Sequence, residues 1–460
     1  MATMDYSIMC EEQISGDFPI FVNLFSRRIG AKFSNTGHAI VQISLDNEYV
    51  IFSENHENDQ SVAIQDLFAY IGEIQESHFD NIIPIHAIST KPMKILEKLL
   101  QGSTGKYIAD LNILFEGKIS EQTLIRLMEI PIIDIIIEGI IQAIELGNSQ
   151  KLLRCSITNH GILAISHDVD HNKLPKKKML SRYLYLRRKK TRVPVSYLIK
   201  SILNLLPFIN YTDNYHDFLN LESRYKITST YFFLPQTYHE MSPELLLNLE
   251  QHEHEIAVHG NFGTAESSDV LSAQIISMND HYRPQTDYSG IRQHYLEYSF
   301  PETWKIHAES NLKYDGTLGF SDMMGFRAGT AQPYQTGLGI VEIPLTIMDT
   351  YLRKFDHPDL HSYWQSKIRR IIPWIKYTKG ILSINWHQAY LNMPFGYLLE
   401  FCIKECLKLN FEFLSHREIN HRVEIQNTLL AATENQVTIL EDGTLTYSEE
   451  FNLAFHPKNR

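Results

Sequence analysis

The sequence predicts an α/β protein: an irregular (β/α) barrel preceded by a smaller α+β N-terminal domain. Three observations carry this expectation. Between residues 156 and 422, short β-rich runs alternate with amphipathic helical stretches, the signature of parallel βα units, and this many units favours a closed barrel over an open sheet. The charge is unevenly divided. The chain of 460 residues has 42 Lys+Arg against 54 Asp+Glu, a net charge of −12. Residues 1–150 hold 21 acids and 9 bases and so account for the entire excess, while residues 151–460 hold 33 of each. The acids and imidazoles of the later segment also sit where its β-rich runs end, which in a barrel of parallel strands is the functional face.

Taken in order, residues 18–53 alternate apolar and polar side chains (FPIFVNLF, HAIVQISL, EYVIF), as short antiparallel strands do. Helical patterns follow at 62–78, 92–102 and 121–147. This part, 1–155, is the acidic α+β domain and shows no chemistry. The barrel, 156–422, is read from GILAISHD, ITSTYFFLP, EIAVHG, SGIRQHYL, NLKYDGTL, IVEIPLTI and GILSINWH, with helices such as SPELLLNLEQH and MPFGYLLEFCIKECLKL between them. Residues 423–460 read as a short helix and a hairpin turning at Glu441-Asp442-Gly443.

A hydrophobic fraction of 43% with 21% charged residues excludes a disordered or fibrous chain. The run 130–147 carries Asp134 and Glu138 and is short for a bilayer span, so a buried helix is expected. Cys402 and Cys406, at i, i+4, have no Cys/His pair beside them and are expected in a buried apolar stripe. The N-terminus has acids where a signal peptide has bases, and four cysteines are too few for a disulfide scaffold. Both point to the cytoplasm. The main body lacks the basic surface of a nucleic-acid binder, so no nucleic-acid partner is expected.

The strand ends carry the chemistry. ILAIS runs into His167-Asp168-Val169-Asp170-His171, EIAV into His259, GIRQ into His294-Tyr295, GF into Arg327 and LSINW into His387. Asp168 and Asp170, two apart on an extended segment, point to one side. Paired carboxylates repel unless a proton or cation lies between them. With imidazoles nearby, a divalent metal is the natural counter-charge, and a mixed O/N donor set suits zinc first, or cobalt, nickel or manganese, better than calcium or magnesium. Such a site acidifies water for attack on an amide or ester, with a free carboxylate as base and a histidine as acid.

These residues also resemble a family. His254-Glu255-Ile256-Ala257-Val258-His259 is similar to the HEIGxH stretch of the polysaccharide deacetylases, the NodB-homology or carbohydrate esterase family 4 enzymes. Ser166-His167-Asp168-Val169-Asp170 stands where that family carries TFDDG, and Ser229–Leu234 resembles its ATFFV strand. Gly325–Thr330 resembles the FRPP motif and Ser383–His387 the late LxxH motif. The match in order and spacing covers roughly residues 160–420, and the wording HDVD, RQHYL and GFRAGT resembles a divergent branch.

The resemblance implies Asp168 as catalytic base, Arg327 as the arginine that orients it, and His387 as general acid. It implies His259 as a metal histidine and Trp386 as an apolar wall for the acetyl group or sugar. The family's second Asp is Val169 here and its second histidine Gly263, so the remaining metal positions are assigned to Asp170 and His294. Arg292 and Tyr295, beside His294, are assigned to substrate binding. The implied activity is removal of an acetyl group, N-acetyl first, from a sugar of a surface polysaccharide or its precursor. The alternatives are another C–N hydrolase on the same barrel and a non-catalytic glycan-binding relative.

Residues 173–192, KLPKKKMLSRYLYLRRKKTR, contain ten Lys/Arg and no acid. Two readings stand side by side. One is an anionic glycan or membrane surface as partner, which would place the protein peripherally at the inner face of the membrane. The other is a solvated helix paired with the acidic N-terminal part.

Overall fold

A computed structural model describes residues 126–148, 156–354 and 360–432. It also describes strands at 7–10, 32–33, 41–44, 49–52, 60–63, 437–439 and 445–447, and positions 24, 27–28 and 99–102. The chain divides into two compact units. The first comprises 1–159, 326–341 and 419–460, and the second 160–325 and 342–418. The first unit is thus assembled from three separate pieces of chain.

In the first unit, β1 (Ser7–Cys10), β2 (Lys32–Phe33), β3 (Val41–Ser44), β4 (Tyr49–Phe52) and β5 (Gln60–Ala63) form a sheet in the order β2-β1-β3-β4-β5. The sheet is mixed rather than antiparallel: β1 runs parallel to β2 and β3, and only β3-β4-β5 is an antiparallel meander. Apolar alternation reports that one face is covered, not the direction of the neighbouring strand, so it could not distinguish these. Leu24, expected in a strand, is helical. The helix expected at 62–78 begins on β5 residues, and the rest of it lies outside the described residues.

The apolar run is helix α1 (Ile132–Asn148), with Ile132, Ile133, Ile135, Ile136, Ile137 and Ile141 all buried. Arg27 links the three pieces of this unit. It donates from Nε and Nη2 to Gln426 Oε1 at 3.2 and 2.6 Å and from Nη1 to the Pro333 carbonyl at 3.1 Å. A C-terminal hairpin pairs Val437–Ile439 with Leu445–Tyr447, and its turn lies outside the described residues.

The second unit is built on β6 (Ile162–Val169), β7 (Thr230–Phe233), β8 (Glu255–Gly260), β9 (Gly290–Gln293), β10 (Tyr314–Asp315), β11 (Ile347–Met348), β12 (Ile381–Asn385) and β13 (Glu412–Phe413). Its strands follow the order β10-β9-β8-β7-β6-β12-β11, with β13 also paired to β6. The ladders within this set are parallel, as covering helices on intervening crossovers require. Among the described residues no ladder joins β11 to β10, so the sheet curls without closing. Every residue of β6 is buried, which is why the strand reads as a nearly unbroken apolar run up to His167.

Helices α2 (Lys178–Arg188), α3 (Val195–Leu203) and α4 (Tyr215–Tyr225) occupy the long connection from β6 to β7. Cys402 and Cys406 lie buried on the helix Tyr397–Lys408, with burial pushing the Cys402 thiol up to about 12. They form the apolar stripe expected. No helix among the described residues is long and apolar enough to cross a membrane.

Candidate active site

The two-residue period of β6 sorts its polar side chains. Odd and even positions face opposite sides of the sheet, so His167 turns away from Ser166 and Asp168. His167 Nε2 lies 2.9 Å from Glu222 Oε1 of α4, and Nδ1 donates to the Trp386 carbonyl at 2.8 Å. His167 is a buried structural residue. Asp168, on the other side, accepts from Arg292 Nη1 on Oδ1 at 2.9 Å and from Asn385 Nδ2 on Oδ2 at 2.6 Å, while its own N–H donates to Asn385 Oδ1 at 3.1 Å. Arg292 also donates to Ser166 Oγ at 2.7 Å and to the Gly316 carbonyl at 2.8 Å, and its guanidinium lies 4.4 Å from the centre of the Phe232 ring. A Cβ on Gly316 would stand 3.2 Å from that guanidinium.

This geometry revises three of the expected roles. The guanidinium on Asp168 belongs to Arg292, which β9 delivers across β8 and β7, whereas Arg327 is half-buried in the first unit. Arg292 is fully buried, so it acts on the carboxylate and offers no surface to a substrate. Trp386 is also buried, 6.1 Å from the Phe395 ring, and is part of the core rather than an open wall. Val169 is buried, and Gly263 adopts a left-handed turn with φ +81. Neither position offers a ligand atom.

Asp170, His259 and His294 come together, with one ligand atom of each within 4.8 Å of the others. Asp170 Oδ1 lies 3.2 Å from His259 Nε2 and 3.6 Å from His294 Nε2. Donor atoms held at ~2.0–2.1 Å in a tetrahedron stand about 3.3 Å apart, which these separations match. Asp170 Oδ1 is buried, and the polar atoms nearest it are these two imidazole nitrogens, so a cation shared among the three would satisfy the carboxylate oxygen. His259 Nδ1 donates to the Arg292 carbonyl at 2.7 Å, so Nε2 is the nitrogen turned toward Asp170, the outer-shell arrangement usual for a metal-binding imidazole. One carboxylate and two imidazoles suit a zinc-like divalent ion. The residues present therefore fit such an ion.

His387 completes the group. Its Nε2 is 3.5 Å from Asp170 Oδ2, and its Nδ1 is 2.5 Å from Oδ1 of the buried Asp349. Asp349 and Asn385 were both missed from sequence. The signal for Asp349 was available, since it is the acid that immediately follows the strand in IVEIPLTIM. Asn385 ends ILSIN in the same way.

The electrostatics follow from these contacts. Burial would raise the Asp168 carboxyl, but Arg292 foremost, then His259 and His387, hold it below the usual carboxylate range. Burial likewise opposes ionisation of Asp170, and His259 and His387 outweigh it to keep that carboxyl ionised. Burial disfavours protonation of His387, yet Asp349, then Asp170 and Asp168, lift it to about 9. His294 is driven down, by burial and then by His259. One carboxylate is thus held anionic beside an imidazole held cationic, the separation that acid–base chemistry at one site would need.

Beside this group Tyr295 is 73% exposed, with its ring centre 4.1 Å from that of His294 and tilted 32° to it, and 5.8 Å from that of the exposed Phe262. Tyr295 and Leu296 both have left-handed backbone, φ 58 and 55, a conformation that costs a non-glycine residue of order 1–2 kcal/mol.

No protein-family model and no curated protein matches the chain. Among solved structures, the chain is similar to a protein named as a polysaccharide deacetylase from Mycobacterium smegmatis, with 18% identity, 59% of this chain and 93% of that chain covered, and a TM-score of 0.42. It is similar to PuuE allantoinase at 14% identity, 56% and 88% coverage and a TM-score of 0.38. It is also similar to a CE4-family pseudoenzyme from Bacillus anthracis at 11% identity, 57% and 66% coverage and a TM-score of 0.33. By its parallel strand order the second unit is a curled α/β sheet whose strand ends bring acids and imidazoles together.

Proposed function

We propose that the protein is a metal-dependent hydrolase that removes an acetyl group, N-acetyl first, from a sugar of a surface polysaccharide or its precursor. The observation that carries this reading is the convergence of three functions on one site. They are a carboxylate clamped anionic (Asp168), an O,N,N donor set (Asp170, His259, His294) and an imidazole held cationic by its own carboxylate (His387 on Asp349).

Asp170, His259 and His294 would hold the ion, which supplies Lewis-acid chemistry by acidifying water and polarising a carbonyl oxygen. Asp168 takes the proton of the attacking water. Arg292 and Asn385 occupy both of its oxygens, so the carboxylate is oriented before the substrate arrives. His387 carries a proton at neutral pH and gives it to the departing amine from Nε2. Asp349 on Nδ1 keeps the ring oriented and stabilises its cationic form, the role an acid plays behind a catalytic histidine. Phe262 and Tyr295 offer aromatic faces beside His294 on which the apolar face of a pyranose ring would rest. The reading places the protein in the cytoplasm with a sugar precursor as substrate.

The test is acetate release from N-acetylated sugars and their oligomers by the zinc-loaded chain, beside Asp168→Asn. Release that Asp168→Asn reduces by about 100-fold or more supports the reading. A zinc-loaded wild-type chain that releases no acetate while still binding the glycan would replace it with a glycan-binding role.

A further inference from the structure

We propose that α2, α3 and the turn after them form a docking surface for an anionic lipid bilayer. The observations are separate from the chemistry of the site. Residues 173–212 contain eleven Lys/Arg and no acid in a chain of net charge −12. Helix α2 begins on Lys177 and Lys178, both exposed, with no acid in its first turn. Cations at a helix N-terminus oppose the helix dipole, so local helix stability does not explain them. A sequence that breaks a local rule without a local gain points to a role outside the fold.

Helix α3 then presents Val195, Ile199 and Ile202 to solvent along one face, at i, i+4 and i+7, while Tyr197, Ser201 and Asn204 face inward. The face continues into Leu205, Leu206 and Phe208, and Phe208 is 98% exposed.

That tip is fastened in place. Lys176 Nζ donates to the carbonyls of Leu206, Pro207 and Ile209 at 2.5, 3.0 and 2.5 Å. Asn204 donates to the Lys176 carbonyl at 3.0 Å and accepts from the Tyr211 N–H at 2.7 Å. Tyr197 Oη ties α3 to α2 through the Met179 carbonyl at 3.0 Å. These polar contacts to the backbone thus hold a bare aromatic side chain outward instead of letting it fold onto the protein. Exposed apolar side chains alone would suit many protein partners, and lysines alone would suit any polyanion. A fixed apolar tip in a segment that carries eleven Lys/Arg and no acid matches an anionic lipid interface, where rings and aliphatic chains enter the headgroup boundary and bases meet the lipid charge. The patch begins at Lys173, in the loop that leaves Asp170, so a lipid-borne substrate would arrive at the rim of the site.

The experiment is vesicle flotation of the full chain with phosphatidylcholine alone and with phosphatidylcholine mixed with phosphatidylglycerol, at low and high salt. The variants are Phe208→Ser and the pair Lys177→Ser/Lys178→Ser. All three positions are exposed, and thermal unfolding checks that each variant folds. The expected result is salt-sensitive binding to the phosphatidylglycerol vesicles, weakened roughly 30-fold by the lysine pair and roughly tenfold or more by Phe208→Ser. Equal binding to neutral vesicles, or binding that neither variant changes, overturns the proposal. Binding to RNA without binding to vesicles overturns it in favour of another polyanion. A dimer that Val195→Ser or Ile199→Ser dissociates, with no vesicle binding, overturns it in favour of a second copy of the chain. Acetate release is read separately on soluble sugar, so failure at the membrane leaves the catalytic reading standing, and the reverse also holds.

Discussion

Arg292 Nη1 stands 2.9 Å from Asp168 Oδ1 with both side chains buried, and the same nitrogen donates to Ser166 Oγ at 2.7 Å. The guanidinium reaches three acceptors from one planar fork, which an ammonium cannot do. Arg292→Lys is expected to lower kcat by about 100-fold or more while metal content stays at the wild-type level. It should also destabilise the second unit by roughly 3–5 kcal/mol, since a buried charge loses its fitted partner. Chemical denaturation and metal analysis read the two effects separately, and a variant with wild-type kcat would remove Arg292 from the machinery.

Metal retention should follow Asp170, His259 and His294 and no other acid of the site. The wild-type chain is expected to hold about one zinc-like ion per molecule after dialysis. Asp170→Ala and His259→Ala should abolish this, while Asp349→Asn should leave it intact. Elemental analysis of the purified proteins decides the point. Full zinc retention in His259→Ala would show that the ion sits elsewhere.

Asp349 acts on the substrate only through His387. Asp349→Asn keeps a hydrogen bond to Nδ1 but removes the charge that holds the ring cationic. We expect kcat to fall by about 10²–10³-fold with KM within about twofold of wild type. A variant that loses KM instead would place Asp349 in substrate binding.

Tyr295 combines a left-handed backbone with an exposed ring tilted against that of His294. Tyr295→Gly relieves the backbone and deletes the ring, so the melting temperature should hold or rise while KM for an oligosaccharide rises. An aromatic contact of about 0.5–1.5 kcal/mol corresponds to roughly 2–13-fold. An unchanged KM would exclude the ring from the substrate path.

Asp134 in the first unit tests pH dependence away from the candidate site. Burial lifts its carboxyl to about 6 from 3.8, against the opposing contacts of the Thr330 hydroxyl, the Ala331 N–H and Arg28. A group whose pKa is raised on folding favours the native state while it is protonated. Its contribution is present at pH 3.8 and below and is lost as pH rises to about 6. Asp134→Asn is therefore expected to flatten the decline in stability between pH 4 and 6, measured by urea unfolding. An unchanged slope across that interval would show that the carboxyl is already ionised at pH 4.

Periodicity alone placed the βα units, because a parallel strand buried on both faces is a continuous apolar run and its C-terminal end is where the polarity returns. His259, His294, His387, Asp168 and Asp170 were legible for this reason. Each lies at or just past the end of such a run, and strand ends in one sheet face a common point. The order of the sheet, the partner of each carboxylate and the depth of each side chain were not legible, because they depend on which strands lie side by side. Arg327 follows its motif in the chain, yet Arg292 reaches Asp168, since only β8 and β7 lie between β9 and β6 in the sheet though the two residues are more than a hundred apart in sequence. Trp386 looked like a wall because sequence does not report burial. Asp349 looked like any acid until the fold set it against the inner nitrogen of His387. Local pattern carries which residue types meet at the strand ends. Only the packing of distant strands decides which charge lies 3 Å from which, and that distance is what turns an aspartate into a base and a histidine into an acid.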